Sequence, residues 1–282
     1  MWIGIALALA AAAGYASANT SATVAYNGGS NALTVAAARF LVPTAALIIW
    51  LRLSGAPLTL PKRDAIIAGS LGVVTAFYTW ALLKSFSAIP FALAVLIFYL
   101  FPLIAAVIVA MFGWERLSWK TVAGIVLAFA GLALALDIRS GNLNAAGVAL
   151  AFLAAVGLAV VVAVSSRLFG KHDARPLTLY MAAVASGVLL ILCATSGDFA
   201  LPQTHSGWTG FLASAAFYGF AMIAFFIALS MIGAVRVSLL SYADAVISAV
   251  LGVVVLGQAL TLVQVSGIAV VLLTLVGTTL MK

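Results

Sequence analysis

The fold of this chain is decided by a stretch that occurs twice: residues 4–14 read GIALALAAAAG, and residues 147–157 read GVALAFLAAVG. The two copies align without a gap at an offset of 143 residues. The same offset returns later in the chain, where Tyr99 matches Tyr242. Matches among alanine and leucine are frequent by chance in apolar sequence, so the paired glycines, the paired tyrosines and the constant offset carry the argument. We therefore interpret the chain as an internal duplication.

Composition places the chain in a membrane. Hydrophobic residues make up 66% of the 282 residues and charged residues only 7%, whereas soluble domains contain about 45–50% and about 25%. The apolar runs are about 18–24 residues long, which is the length that a helix needs to cross roughly 30 Å of hydrocarbon. Such spans leave no room for a soluble catalytic domain. The sequence predicts ten transmembrane helices, at about 2–23, 32–51, 65–84, 88–111, 119–136, 145–168, 176–196, 208–230, 236–256 and 261–281.

The duplication divides the chain into repeats 1–139 and 144–282, joined by a polar turn from Asp137 to Asn144. Each repeat holds five predicted spans, and an odd number forces the two copies to lie upside down relative to each other. Inverted repeats are typical of transporters, because two oppositely oriented copies of one structure can exchange conformations. The predicted fold is therefore an all-α membrane protein in which two inverted five-helix repeats surround a central cavity.

The net charge of +7 indicates membrane topology rather than nucleic-acid binding. If the N-terminus is cytoplasmic, only Arg39, Lys84 and Arg139 lie on the outer side. This positive-inside bias predicts that both termini are cytoplasmic, with anionic membrane lipid as the partner of the basic residues. No contiguous basic surface suited to nucleic acid is expected. The inner side holds Arg52, Lys62, Arg63, Arg116, Lys120, Arg167, Lys171, Arg175, Arg236 and Lys282.

Several chemistries are excluded by what the sequence lacks. Cys193 is the only cysteine, so disulfides within one chain and multi-cysteine metal sites are ruled out. No phosphate-binding loop or HExxH motif occurs, and the two histidines, His172 and His205, fall in predicted loops. We therefore expect no cofactor, no metal site and no ATP drive. An enzyme acting inside the membrane would need a base at depth, and no predicted span contains a histidine, so catalysis is not expected.

Asp244 is the one acidic residue that the sequence places deep in a span, in the middle of the ninth predicted helix. A carboxylate there costs at least a few kcal/mol, so it must face a partner or a wet cavity. Ser241, Asp244 and Ser248 form one polar stripe along that helix. Asp244 is therefore a candidate to bind a substrate ammonium group or to carry a coupling proton. The alternative is a structural tether to Arg39 or to a helix end.

Tyrosine is the most informative aromatic residue, because its hydroxyl needs a hydrogen-bond partner at membrane depth. Tyr99 and Tyr242 are equivalent in the duplication, so we expect both to face the cavity if one does. Phe77, Trp80 and Phe217 are secondary candidates for an aromatic wall around the solute. They rank below the tyrosines because a lipid-facing position is the default for a large apolar side chain. The predicted cavity lining consists of Tyr15, Asn19, Tyr78, Tyr99, Tyr218, Ser241, Tyr242 and Asp244.

Arg39 and Pro102 are further candidates with competing interpretations. Arg39 lies about two turns into the second helix and either attracts a substrate carboxylate or snorkels to the membrane interface, and its position favours snorkelling. Pro102 is a candidate hinge of the fourth helix, because an internal proline frees a carbonyl and permits a bend. Pro90 is expected only to open that helix.

Taken together, these features resemble the drug/metabolite transporter superfamily in its ten-helix form with two EamA domains. The second half has Ala245 where the first has Pro102, so the two helices need not bend alike. Within the superfamily the chain resembles the bacterial exporters of aromatic amino acids, which implies an inner-membrane amino acid exporter that works by alternating access. The resemblance covers essentially the whole length and is carried by the duplicated halves, Tyr15, Asn19, Arg39, YLFP at 99–102, and ERL at 115–117 echoed by QAL at 258–260.

The residues alone indicate a less specific solute. Few buried charges are available for a multiply charged substrate, so the solute is expected to be neutral or zwitterionic with apolar bulk. The alternative is a multidrug or cation exporter in which Asp244 binds the cation, with or without proton coupling. A passive channel is a third candidate, distinguished by a flux that does not saturate with solute.

Overall fold

The chain folds as helices throughout most of residues 1–115, 118–136, 144–169, 173–256 and 261–280, which are the residues that the computed structural model describes. Twelve helices occur in these ranges. They are α1 (Trp2–Asn27), α2 (Ala32–Leu53), α3 (Lys62–Phe86), α4 (Phe91–Phe98), α5 (Phe101–Met111), α6 (Trp119–Ala135), α7 (Ala145–Phe169), α8 (Ala174–Ser196), α9 (His205–Ile232), α10 (Ala234–Leu240), α11 (Tyr242–Leu256) and α12 (Leu262–Leu280).

Eight of the described segments are long and apolar enough to cross a membrane, and the helices α4–α5 and α10–α11 each count as one segment. The apolar helices Trp119–Ala135 and Leu262–Gly277 are shorter. Each of the ten predicted spans therefore corresponds to helical structure. Several sequence predictions lie outside the described residues: the turn at 137–143, Arg139, Lys171, His172, Lys282, and most of the ERL and QAL motifs.

The fourth and ninth predicted helices are both interrupted, and at equivalent positions. The helix α4 ends at Phe98 and α5 begins at Phe101, while α10 ends at Leu240 and α11 begins at Tyr242. Pro102 lies at the second position of α5, where the missing N–H would have no intrahelical partner in any case. It therefore starts α5 directly after the break in the span, and its role as a hinge stays a prediction.

The second repeat shows that proline is not needed for the interruption. Its equivalent of Pro102 is Ala245, which lies inside α11, and the helix breaks all the same. Pro90 is the N-cap residue of α4 and opens that helix, as predicted.

Helix α1 packs along α9, and the equivalent helices α7 and α3 pack along each other. A Cβ added at Gly4 would lie 2.6 Å from Ile232, and one at Gly28 would collide with Gly207, so α1 and α9 are antiparallel. Their backbones approach closely because glycine has no side chain. The offset of 143 carries Gly14 onto Gly157, and both of these glycines lie in the close contact of their helix pair.

These contacts define two ends of the helix bundle, which we name the Met1 end, where α1 begins, and the Gly28 end, where α1 finishes. The described basic residues other than Arg39 and Lys84 lie at or next to helix termini of the Met1 end. Lys84 is in the last turn of α3, at the Gly28 end. The described basic residues are thus grouped at the end that the charge count assigns to the cytoplasm.

Candidate functional site

The two helix breaks meet each other at the middle of the bundle. The rings of Tyr99 and Tyr242 stack with centroids 5.8 Å apart and planes inclined by 26°. The Tyr242 hydroxyl donates a hydrogen bond of 3.0 Å to the backbone carbonyl of Tyr99. Carbonyls at a helix end lack an intrahelical partner, so the tyrosine of one repeat satisfies the broken helix of the other.

Asp244 lies beside this pair, in the first turn of α11. The Tyr99 hydroxyl donates to its Oδ2 at 2.6 Å, and the Ser248 hydroxyl donates to its Oδ1 at 3.2 Å. A helix N-terminus favours negative charge, and the two hydroxyl donors replace part of the lost hydration. Asp244 lies at the middle of the span Ala234–Val254, as predicted, and the break at Ser241 makes this position the first turn of a helix.

Arg39 points inward rather than to the membrane interface, so the snorkelling interpretation was wrong. Its Nε donates to the Ser214 hydroxyl at 2.9 Å, and its Nη2 donates to the carbonyl of Ala18 at 2.8 Å. The guanidinium carbon also lies 5.3 Å from the centre of the Tyr218 ring. The fully buried Ser214 donates in turn to Ala18. Nη1 of Arg39 has no hydrogen-bond partner among the described residues, so donors remain for a bound anion.

Aromatic rings join these charged groups. Tyr218 forms edge contacts with Tyr15 at 5.3 Å and with Phe40 at 5.2 Å between ring centroids. The Tyr78 side chain interacts with Tyr218, and Tyr15 lies within electrostatic range of Asp244 and Arg39. We name this group the central cluster, and its members are Tyr15, Arg39, Tyr78, Tyr99, Tyr218, Tyr242, Asp244 and Ser248.

Other predicted site residues lie elsewhere. Phe77 and Phe217 are 46% and 44% exposed, and Trp80 packs on Phe77. Asn19 is exposed, and the Ser241 hydroxyl bonds the Val237 carbonyl of its own helix. None of the contacts described for these side chains joins them to the central cluster, and their place in a cavity lining stays a prediction. Tyr242, predicted to line a cavity, is instead fully buried.

Tyr15, Tyr78, Tyr218 and Asp244 of the central cluster are each partly exposed, whereas Tyr99 and Tyr242 are buried. Two hollows among the described residues lie elsewhere. One, of about 360 Å³, is at the Met1 end beside Trp50 and Arg175. The other is an apolar groove on α6 next to Trp119. Both hollows lie outside the central cluster, and the central cavity stays a prediction.

Sequence patterns did not identify two of the connecting residues, and they gave a third, Glu115, only as part of a motif. Ser214 and Phe40 hold Arg39 and Tyr218 in place, and no spacing rule pairs residues of different helices. Glu115 accepts hydrogen bonds from the backbone N–H groups of Ala234 at 2.6 Å and Val235 at 3.3 Å, and so caps α10. A lone serine or phenylalanine in an apolar run gives no such signal, whereas Glu115 belongs to the ERL motif at 115–117.

Comparisons with known proteins agree with the duplication. A sequence model of the EamA-like transporter family matches residues 2–136 and, a second time, residues 145–280. No curated protein sequence matches the chain. A solved crystal structure superposes with a TM-score of 0.80 at 21% identity, covering 98% of this chain and 96% of that chain. At that level of identity the likeness shows a common fold.

Proposed function

The chain belongs to the EamA-like transporter family in both of its halves, and from this premise we propose that it exports amino acids or similar small zwitterionic metabolites. Members of that family are transporters of the drug/metabolite type rather than enzymes. Solutes with aromatic or other apolar side chains are the preferred ones in this proposal, as in the resemblance to the exporters of aromatic amino acids. The chemistry of the central cluster supports this class of solute.

The observation that carries the proposal is the pairing of opposite charges across tyrosine rings. Asp244 offers an acceptor for an ammonium group, and Arg39 has donors left for a carboxylate. Tyr15 and Tyr218 lie between them and offer ring edges and faces, which stabilise aromatic contacts by about 1 kcal/mol each beyond burial. A zwitterion with a ring is complementary to all three features, whereas a multiply charged solute would leave charge without a partner.

The proposed mechanism is alternating access between two inverted five-helix repeats, 1–139 and 144–282. The antiparallel packing of α1 on α9 and of α7 on α3 supports it, since one pair maps onto the other when the halves are exchanged. The meeting of the two helix breaks supports it as well, because interrupted helices near mid-membrane are a recurring feature of transporter sites. The grouping of basic residues at the Met1 end supports a bacterial inner-membrane location with both termini cytoplasmic.

The proposal is tested by reconstituting the purified protein in liposomes and measuring the flux of each of the twenty amino acids. We expect saturable transport of tryptophan, phenylalanine or tyrosine, and little transport of aspartate or lysine. Repeating the measurement with an imposed pH gradient separates facilitated from proton-coupled transport. Protein-dependent flux of none of the amino acids would refute the proposed substrate class.

One observation favours an alternative substrate. Asp244 is the only described carboxylate in the central cluster, and it accepts from hydroxyls rather than from Arg39. A lipophilic cation could take it as a counter-ion, which would make the protein a multidrug or cationic-solute exporter, and release of a proton would drive the exchange. Efflux of such a cation that is accelerated by an inward proton gradient, together with inactivity towards amino acids, would establish this alternative.

A further inference from the structure

The hollow at the Met1 end lies between the two halves of the chain. It is bounded by α2 of the first half and by α7, α8 and α9 of the second. Its volume of about 360 Å³ is within the range of small-molecule sites. We name it the Trp50 pocket, and it is lined by Trp50, Phe169, Asp173, Ala174, Arg175, Ile227 and Ser230.

The Trp50 pocket combines a ring with a pair of opposite charges. Nη2 of Arg175 lies 2.6 Å from Oδ2 of Asp173, and their side chains are 25% and 41% exposed. The hydrogen bonds from Arg175 lower the pKa of the Asp173 carboxyl below its ordinary value, so this group stays charged in mildly acidic solution. The guanidinium also lies 5.2 Å above the Trp50 ring, and Trp50 is 41% exposed. A carboxylate, a guanidinium and an indole thus meet at one accessible place.

A row of rings leads from this pocket to the central cluster. Phe169 of the pocket wall contacts Phe226 at 5.7 Å, and Phe226 contacts Phe225 at 5.4 Å between centroids. Phe225 contacts Tyr15 at 6.2 Å, which belongs to the central cluster. The three phenylalanines are buried, so they separate the pocket from the centre in this conformation. A ring-bearing solute that moves between these phenylalanines replaces their contacts with each other by contacts with its own ring.

At the Gly28 end of the bundle, hydrogen bonds join the two halves of the chain. Residues 28–34 of the first half are hydrogen-bonded to residues 198–203 of the second, and we name this contact, with the approach of Gly28 to Gly207, the Gly28 clasp. It brings the backbones of Gly28 and Gly207 into close approach. Its bonds run from Gln203 N to Gly28 O at 2.8 Å, from Ser30 Oγ to Ala200 O at 2.8 Å, from Asn31 Nδ2 to Asp198 O at 2.8 Å, and from Ala200 N to Thr34 Oγ1 at 3.0 Å.

The duplication relates the Gly28 clasp to the Met1 end. The offset of 143 carries Asn31 onto Ala174 and Asp198 onto Gly55. Among the described residues near that equivalent place, Arg175 reaches Ser54 by a hydrogen bond of 3.5 Å, which is longer than the four bonds of the Gly28 clasp, and the Trp50 pocket lies beside it. The Trp50 pocket therefore lies at the place in the fold that is equivalent to the Gly28 clasp.

We propose that the Trp50 pocket is the first binding site for an aromatic amino acid that approaches from the Met1 end. The ammonium group binds Asp173, the carboxylate binds Arg175, and the side-chain ring lies against Trp50 and Phe169. This inference rests on the proposed function for its solute and adds a second site, outside the central cluster. Lysine-like cations and ring-free zwitterions each match only part of the pocket and bind more weakly.

The test measures protection of a cysteine placed in the pocket. Ser230 is exposed and lines the pocket, and Cys193, the single native cysteine, is replaced first. The variant Ser230→Cys in the Cys193→Ala background is incorporated into lipid nanodiscs and treated with N-ethylmaleimide. We expect L-tryptophan at millimolar concentration to slow the modification at least threefold, and L-alanine or indole alone to slow it much less. Met111→Cys, 80% exposed on α5, is the matched control and should react at an unchanged rate.

Adding Arg175→Gln to the Ser230→Cys protein should abolish the protection, whereas adding Arg52→Gln should leave it intact. An introduced thiol that tryptophan does not protect, in a protein that transports tryptophan, would overturn the inference and leave the proposed function standing. Protection without transport would support the pocket and refute the proposed function. The absence of both protection and amino acid transport would refute both.

Discussion

Two tyrosines that are equivalent in the duplication have different tasks at the residue scale. Tyr242 is fully buried and its hydroxyl satisfies a backbone carbonyl, whereas the Tyr99 hydroxyl satisfies the Asp244 carboxylate. We expect Tyr242→Phe to lower the free energy of unfolding by about 1 kcal/mol with an unchanged KM for solute. Tyr99→Phe should change KM at least threefold, because the carboxylate loses a donor. Thermal unfolding in detergent and transport kinetics in liposomes measure the two effects, and equal effects on KM would contradict this division.

Asp244 gives a second prediction at the same scale. Asp244→Asn keeps the size of the side chain and an oxygen acceptor for Tyr99 but removes the charge. If the carboxylate binds the ammonium group, transport should fall at least tenfold while the amount of folded protein is unchanged. Ser248→Ala is the control, because it removes the weaker donor and keeps the charge. Unchanged transport kinetics in Asp244→Asn would assign Asp244 a structural role only.

At the scale of the helices, glycine contacts set how closely the repeats pack. A Cβ added at Gly157 would lie 2.7 Å from the Cβ of Tyr78, which is too close to be accommodated without separating α7 from α3. We expect Gly157→Ala to destabilise the protein by about 1–3 kcal/mol and to impair transport by displacing Tyr78. Gly187→Ala is the matched control, because a Cβ there meets nothing within 4 Å. A melting temperature that falls equally in both variants would contradict the packing argument.

The cap on α10 gives another prediction about a single helix. Glu115→Ala leaves the N–H groups of Ala234 and Val235 without their acceptor and should destabilise the protein by about 1–2 kcal/mol. Glu115→Gln keeps one oxygen acceptor and should cost less than half of that. The duplication itself places glutamine, Gln258, at the equivalent position of the second half. Chemical unfolding of the two variants side by side decides the question, and equal losses would show that the charge rather than the acceptor matters.

The helices also show how far the sequence could be interpreted. Apolar run lengths and the offset of 143 predicted where the spans lie, because burial in lipid imposes a length that composition reveals. The bend near Tyr99 was predicted only through Pro102, and the break at Ser241 was not predicted, because apolar residues on both sides hide a break from any test of hydrophobicity. The sequence singled out Tyr15, Tyr99 and Asp244 as residues of a candidate site, because polar groups at membrane depth need hydrogen-bond partners. Their actual partners depend on helix rotation, which no local pattern records.

At the scale of the whole molecule, the Gly28 clasp is the contact that must open if solute is to leave at that end. The side chains of Asn31 and Asp198 lie 3.5 Å apart, so cysteines at both positions should form a disulfide in the Cys193→Ala background. We expect the oxidised double variant to transport at less than a tenth of its reduced rate. Each single-cysteine variant, oxidised in the same way, should be unaffected. Undiminished transport by the cross-linked protein would show that the clasp stays closed during the cycle.

The stacked tyrosine pair breaks the symmetry between the two repeats, because the two hydroxyls have different hydrogen-bond partners. If the two halves exchange conformations, symmetry would direct the Tyr99 hydroxyl to the carbonyl of Tyr242. Asp244 would then keep only the hydrogen bond from Ser248. Phe101, the residue of the first half that is equivalent to Asp244, has no charge and needs no hydrogen-bond donor in either state. The two end states then differ in energy even between identical solutions, and the empty protein should rest with its Gly28 end closed. We expect Asp244→Leu to level this bias, which distance measurements between spin labels at the two ends can detect as a more even distribution of states.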